Sequence, residues 1–204
     1  MINTFQEKGY ILVKSFLSKE LCDYLYSYCK MRARTGLLLK KYYPDYRKSI
    51  DGHFDDPQAM GDYSCYSDPA METILNRSVK KIEQMIDVQL VPTYTFWRLY
   101  TNGSELKKHI DRESCEISTT LCIGYESDYC WPMFVNGEPL ETEPGDMILY
   151  KGVENSHWRE PFRGKFHAQA FLHFNEKGGK YNNEFDGRPC LGVPSNLRIE
   201  KWSI

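Results

Sequence analysis

The spacing of apolar and polar residues changes along the chain and separates a helical part from a β-rich part. Apolar residues from Met71 to Ile86 recur at helical spacing after Pro69, which predicts a helix. An earlier helix is predicted from Lys19 to about Arg32, with Ser18 as its N-cap. From Val91 onwards apolar residues alternate with a period of two, which predicts strands.

Short β-like runs follow one another in this second part. They cover residues 91–100, 117–123, 133–135, 147–150 and 166–174. Tight turns separate them at Asn136-Gly137, Pro144-Gly145-Asp146 and Arg163-Gly164. Two helices in front of many short strands predict a mainly β protein with flanking helices, of the α+β class, whose strands form a sandwich or barrel.

No repeat or shift in composition marks a domain boundary in the 204 residues. We therefore predict one domain over 1–204, with a helical flank at 15–88, a β core at 91–175 and an irregular tail at 176–204. The stretch 35–70 is rich in tyrosine and lacks a sustained period. Its length exceeds that of ordinary connections, so we predict a loop that covers a site.

Composition excludes several classes of protein. A net charge of −2 and a pI near 6.2 argue against a nucleic-acid partner, because phosphate binding needs a concentration of Lys and Arg. No apolar run is long enough for a membrane span, and the first residues form no targeting leader. Seven cysteines without a Cys-x-x-Cys pair predict reduced thiols and a cytoplasmic protein. The oligomeric state stays open.

Three of the residues suited to metal binding stand in a suggestive order. His109-Ile110-Asp111 places an imidazole and a carboxylate on one face of an extended chain, and His157 follows after several predicted strands. Two imidazoles and one carboxylate on one face of an octahedral iron leave open positions for a cosubstrate and dioxygen. A structural zinc site would fill all its positions, and no fourth ligand has suitable spacing.

These motifs, in this order, resemble the prolyl-4-hydroxylase-like iron(II) and 2-oxoglutarate-dependent dioxygenases, in particular a bacterial and phage-type subgroup. The resemblance covers roughly residues 9–175 and includes the Tyr100–Gly103 turn, Gly145-Asp146 and the segment His157–Gly164. It implies a double-stranded β-helix, of the jelly-roll or cupin-like kind. It also implies iron(II), 2-oxoglutarate and O2 as cofactor and cosubstrates, with succinate and CO2 as co-products.

The sequence departs from the family at the residue that holds 2-oxoglutarate. Relatives usually carry an Arg or Lys about ten residues after the distal His, where it grips the far carboxylate. Here the register carries His167 and Gln169, and strand alternation puts Lys165 on the same face. We therefore predict a shared polar anchor in which His167 contributes charge only if protonated. Tyr100 and Thr120 are further candidates for 2-oxoglutarate binding.

Three arginines complete the candidate site as substrate-facing or reserve anchoring residues: Arg98, Arg112 and Arg159. For Arg98 and Arg159, structural pairing with Glu160 or Glu116 is the alternative. The favoured function is hydroxylation of an unactivated C–H bond in a peptide, amino acid or other small molecule. Two alternatives remain: a nucleic-acid or nucleobase demethylase of the same superfamily, and a non-catalytic cupin-like metal-binding module.

Overall fold

The computed structural model describes residues 2–43 and 52–193, in which ten strands form two antiparallel sheets. The strands are β1 (Tyr10–Val13), β2 (Tyr63–Tyr66), β3 (Leu90–Thr101), β4 (Leu106–His109), β5 (Ile117–Glu126), β6 (Met133–Val135), β7 (Glu138–Leu140), β8 (Met147–Lys151), β9 (His157–Arg159) and β10 (Phe166–Glu176). The helices are α1 (Ile2–Lys8), α2 (Lys19–Tyr42) and α3 (Pro69–Ile86), with short 3-10 turns at Glu113–Cys115 and Glu184–Gly187.

The order of the strands defines the architecture. The larger sheet runs β1-β8-β5-β10-β3-β2 and the smaller one β4-β9-β6-β7. From β3 to β10 the chain passes repeatedly from the larger sheet to the smaller one and back, which is the winding of a double-stranded β-helix. The predicted fold, mainly β with flanking helices, is therefore confirmed.

Helix α3 forms where its sequence predicts it. The Asp68 side chain caps the helix by accepting from the Ala70 backbone N–H, and Pro69 occupies the first turn, where no N–H is needed. The helix ends at Asp87, which adopts a left-handed conformation with φ 56°. The apolar stripe from Met71 to Ile86 is buried and belongs to the core that also includes the larger sheet.

The predicted loop over 35–70 is partly wrong. Helix α2 continues to Tyr42, and residues 63–66 form an edge strand against β3; residues 44–51 lie outside the described part. Beyond Ala33 no side chain of α2 is buried, so no apolar period marks this part of the helix. In the structure Gly36 lets the helix approach Tyr63, since a Cβ at this position would lie 2.5 Å from that ring.

The segments outside the β core are also more ordered than the pattern suggested. The flank predicted as helical, 15–88, also adds β2 to the larger sheet. The tail is fastened through Arg188, whose buried guanidinium pairs with Glu72 at 2.7 Å. Over residues 2–43 and 52–193, no helix combines the length and apolar character that a membrane crossing requires.

A second, smaller core contains the residues that matter for the site. It is a cluster of aromatic side chains that includes Tyr100, Trp131, Phe162 and Phe171. Tyr100 and Phe171 come from the larger sheet, while Trp131 lies just before β6 of the smaller one. Side chains of β9 and β10 therefore meet in a buried space between the two sheets.

Candidate metal centre

The structure brings His109, Asp111 and His157 together at one end of the space between the sheets. His109 ends β4, His157 begins β9, and the two residues are direct partners across these antiparallel strands. Asp111 follows β4 in a turn held by a hydrogen bond from its backbone N–H to Gly152 O at 2.8 Å. Its Oδ1 lies 3.7 Å from His109 Nε2 and 3.5 Å from His157 Nε2.

Both imidazoles are oriented by backbone carbonyl groups. His109 Nδ1 donates to Lys107 O at 2.8 Å, and His157 Nδ1 donates to Asn155 O at 2.9 Å. A carbonyl only accepts, so each Nδ1 carries a proton, and Nε2 is the nitrogen left to face a metal. Burial and the neighbouring His157 lower the pKa of His109, which keeps that ring neutral.

The Asp111 carboxylate is positioned by a chain of buried groups. Its Oδ2 lies 2.9 Å from Ser118 Oγ, which in turn lies 2.9 Å from His173 Nδ1. Burial alone would raise the pKa of Asp111, but interactions with His157, His173 and Ser118 lower it to about 2. The group is therefore an anion with Oδ1 directed at the imidazoles, as a metal ligand requires.

Gly152 makes room for this carboxylate. A Cβ at Gly152 would lie 2.5 Å from Asp111 Oδ2 and 2.8 Å from Ser118 Oγ, and it would also collide with Cys115 O. Only a residue without a side chain lets the β8–β9 connection approach the Asp111 turn so closely. Sequence reasoning did not identify Gly152 or the Ser118–His173 pair, because each acts through contacts between distant segments.

A cavity of about 390 Å³ opens beside the three residues. Aromatic rings of Tyr94, Phe96 and Phe171 form much of its wall, and Asp56 and Gln58 reach it from the segment between α2 and β2. These last two residues lie in the region predicted as a cover, so part of that region does adjoin the site. The volume suits a small molecule or one side chain of a larger substrate.

Two of the three candidate arginines line the cavity, and each is paired with a carboxylate. Arg98 donates to Asp56 at 2.8 Å, and Arg112 donates to Asp186 of the tail at 2.7 Å. Arg159 is buried deeper, where its Nη1 donates to Trp131 O at 2.5 Å. The expected partners were wrong: Glu160 accepts from Trp158, and Glu116 accepts from the backbone of Glu176.

The predicted polar row on β10 separates in the structure. Gln169 is buried and links three groups: it accepts from Arg159 at 3.3 Å and from His167 at 2.7 Å, and it donates to Thr120 at 2.5 Å. Tyr100, also buried, lies opposite His167 on β3. Four of the five candidates for 2-oxoglutarate binding therefore lie in one internal region with Arg159.

Two expectations about that row do not hold. Lys165 lies outside β10 with 71% of its side chain exposed, and it pairs with Glu126 at the surface. Burial, and then the charge of Arg159, lower the pKa of His167 to about 3. His167 is therefore neutral near neutral pH. It cannot supply the positive charge of an anchor; the cation in this region is the guanidinium of Arg159 beside it.

Comparison with solved structures identifies the fold. A prolyl-4-hydroxylase from Pseudomonas putida is 17% identical, with a TM-score of 0.64 over 87% of this chain and 97% of that chain. A viral collagen prolyl hydroxylase from Paramecium Bursaria Chlorella virus-1, in a 2-oxoglutarate complex, is 12% identical, with a TM-score of 0.60 over 84% and 98%. EctD from S. alaskensis with bound Fe is 16% identical, with a TM-score of 0.65 over 98% and 85%.

These structures show that the chain has the fold of the 2-oxoglutarate and iron(II) oxygenases, as the resemblance in its sequence predicted. No family model matches the sequence. No curated protein matches it either. The shared fold and the cluster of His109, Asp111 and His157 together define the class within which a function is to be sought.

Proposed function

We propose that this protein is an iron(II)- and 2-oxoglutarate-dependent dioxygenase that hydroxylates a C–H bond of a small molecule, amino acid or peptide. The observation that carries the proposal is the convergence of two Nε2 atoms and one carboxylate oxygen beside a cavity of about 390 Å³. The fold supports it, since solved structures with the same fold include oxygenases described with iron or 2-oxoglutarate.

The donor set fits iron(II). His109, Asp111 and His157 supply two imidazole nitrogens and one carboxylate oxygen on one side of a common point, with hydrogen-bonded outer partners for all three. When bound, iron would supply open coordination positions for the 2-oxo acid and O2, and 2-oxoglutarate would be converted to succinate and CO2 as the substrate is oxidised.

The protein's own residues hold and shield the reactants. Asp111 stays anionic and His109 stays neutral, so neither ligand has to exchange a proton when a metal binds. Phe96 and Phe171 give the cavity an apolar wall, while Arg98 and Arg112 provide polar contacts that fix a substrate's orientation.

The substrate is proposed to be small, or a side chain of a peptide, and not a nucleic acid. The cavity arginines are already matched by Asp56 and Asp186, so they form no free basic surface for a phosphate backbone. A cytoplasmic location is proposed as well. It is supported by the cysteines, which all lie in the described part of the chain and form no disulfide.

The decisive experiment measures succinate formed from 2-oxoglutarate by the iron-loaded protein, alone and with panels of amino acids, peptides and nucleosides. We expect slow uncoupled turnover that a particular amino acid or peptide accelerates, and its loss in Asp111→Ala. Acceleration by nucleosides or oligonucleotides would favour the demethylase alternative. Iron binding without any succinate would favour the non-catalytic cupin-like module.

A further inference from the structure

Within residues 2–43 and 52–193, Arg159 is a buried cation without a carboxylate partner. Among the residues that the structure describes, Arg98, Arg112 and Arg188 each pair with a carboxylate at 2.7 or 2.8 Å. Arg159 is 2% exposed and makes no ion pair within the same part of the chain. Its contacts are neutral: Trp131 O, Gln169 Oε1 and the face of the Trp131 ring at 4.6 Å.

Such an arrangement is costly unless an anion completes it. Removing a charged group from water is unfavourable, and neutral hydrogen-bond partners recover only part of the lost solvation. The neighbouring hydroxyls of Tyr100 and Thr120 are hydrogen-bond donors of the kind that supports a bound carboxylate.

The position of Arg159 relates it directly to the metal centre. His157 and Arg159 are two residues apart on β9, so both side chains point into the space between the sheets while Trp158 points away. Two residues along a strand span about 7 Å. This is comparable to the separation between the two ends of a five-carbon dicarboxylic acid. An acid chelating a metal at His157 would thus place its far carboxylate beside Arg159.

We infer that Arg159 is the anchor for the far carboxylate of 2-oxoglutarate, held in position by Gln169 and assisted by Tyr100 and Thr120. The inference rests on the proposed function. It places the cation that binds the far carboxylate on β9, the strand of His157. His167, at the register where relatives carry a basic residue, donates to Gln169 Oε1 at 2.7 Å and so helps to fix the partner of Arg159.

The test compares two ligands that differ only in the far carboxylate. The iron(II)-loaded protein, kept free of O2, is titrated with 2-oxoglutarate and with 2-oxovalerate, and both dissociation constants are measured by calorimetry. We expect the wild-type protein to prefer 2-oxoglutarate by about ten- to a hundredfold, the effect of a charge-assisted contact. Arg159→Met should lose that preference and keep its affinity for 2-oxovalerate and iron. Arg159→Lys should show an intermediate preference.

Controls separate this role from a structural one. Arg163→Met removes an exposed arginine four residues further on and should leave the preference unchanged. Because Arg159→Met removes an uncompensated buried charge, the variant without ligand should melt at or above the wild-type temperature. If Arg159→Met melts at a lower temperature and keeps the preference for 2-oxoglutarate, Arg159 has a structural role. If Arg159→Met does not fold, an intact preference for 2-oxoglutarate in Arg159→Lys would lead to the same conclusion.

The outcomes also distinguish this inference from the proposed function. If wild-type protein with iron binds neither 2-oxo acid, the proposed function itself fails. If wild-type protein prefers 2-oxoglutarate and Arg159→Met retains that preference, only the anchor assignment is overturned. Loss of the preference in Arg98→Met alone would move the anchor to Arg98.

Discussion

Individual side chains at the metal centre are fixed by partners that have no metal-binding capacity of their own. Lys107 O and Asn155 O set the tautomers of His109 and His157, and Ser118 directs the Asp111 carboxylate. These contacts fix the orientation of the donor atoms. The site should therefore bind a metal without large rearrangement.

Removing any one of the three ligands should abolish metal-dependent turnover while leaving the fold cooperative. His109→Ala, Asp111→Ala and His157→Ala each delete one of the three protein contacts to a metal ion. Calorimetric titration with iron(II) or cobalt(II) measures the lost binding, and circular dichroism during heating tests the fold. Full turnover in any one variant would exclude that residue from the site.

Ser118→Ala should weaken metal binding without removing a ligand. The change frees Asp111 Oδ2 and leaves His173 Nδ1 without its 2.9 Å partner. Losing such an outer contact typically reduces metal affinity about ten- to a hundredfold. Competition with a chelator measures the affinity. Ser27→Ala, which changes an exposed hydroxyl on α2, is the matched control; equal losses in both variants would refute a specific role for Ser118.

At the scale of elements, the tail supports the site through Arg112, a residue of the cavity wall. Asp186 in the 3-10 turn at Glu184–Gly187 accepts from Arg112 at 2.7 Å and from Tyr66 at 2.6 Å. Arg188 fastens the same segment to α3 through Glu72. The tail thereby connects β2, α3 and the residue that follows Asp111, so an element that looks irregular in sequence contributes to the order of the site.

The contact of Asp186 with Arg112 and Tyr66 predicts that the stability of the folded protein depends on pH. Burial raises the pKa of Asp186, but hydrogen bonds from Arg112 and Tyr66 outweigh it and lower the pKa from 3.8 to about 2. A depressed carboxyl pKa stabilises the folded state above the unfolded value, and this contribution disappears as pH falls from about 4 to about 2. It amounts to roughly 1 to 2 kcal/mol.

Asp186→Asn removes that contribution and tests it. Denaturant unfolding should show a lower free energy of unfolding at pH 7 and a smaller decrease between pH 4 and pH 2 than in the wild-type protein. Asp23→Asn, which changes an exposed carboxylate on α2, should keep the wild-type profile. Parallel profiles for the wild-type and Asp186→Asn proteins would show that the tail contact does not contribute.

The segment from Gly52 to Asp62 is expected to respond to ligands. Asp56 and Gln58 both accept from Arg98 at the cavity wall, at 2.8 and 2.9 Å. Substrate that contacts Arg98 should order these residues, so amide hydrogen exchange over 52–62 should slow when iron, 2-oxoglutarate and substrate are added. Exchange in α3 serves as the internal reference. Unchanged exchange over 52–62 would indicate a fixed structural loop.

At the scale of the whole molecule, the periodic pattern of apolar residues was enough to predict the fold but not the short edge strands β2 and β7. Strands β3, β5 and β10 follow from alternation, and α3 follows from its apolar stripe and caps. Strand β7 has three residues, too few for a period, and β2 depends on pairing with β3. These elements are determined by distant partners, which local spacing does not reveal.

The same limit applies to the site. The order of His109, Asp111 and His157 was sufficient to propose a metal centre, and the structure places the three together. The charge of His167 and the position of Lys165 were not predictable, because each depends on what lies around the side chain: Arg159 beside one and solvent beside the other. Burial and neighbouring charge come from tertiary packing.

The two-residue step between His157 and Arg159 has a consequence for how such a site can change. Side chains of a strand alternate between faces, so a group working with His157 from β9 has to stand an even number of residues away. Inserting one residue between them would turn the guanidinium outward, while moving the cation to another strand leaves β9 unaffected. During evolution the cation can therefore move to another strand, but it cannot shift along β9 by one residue and still lie on the same face as His157.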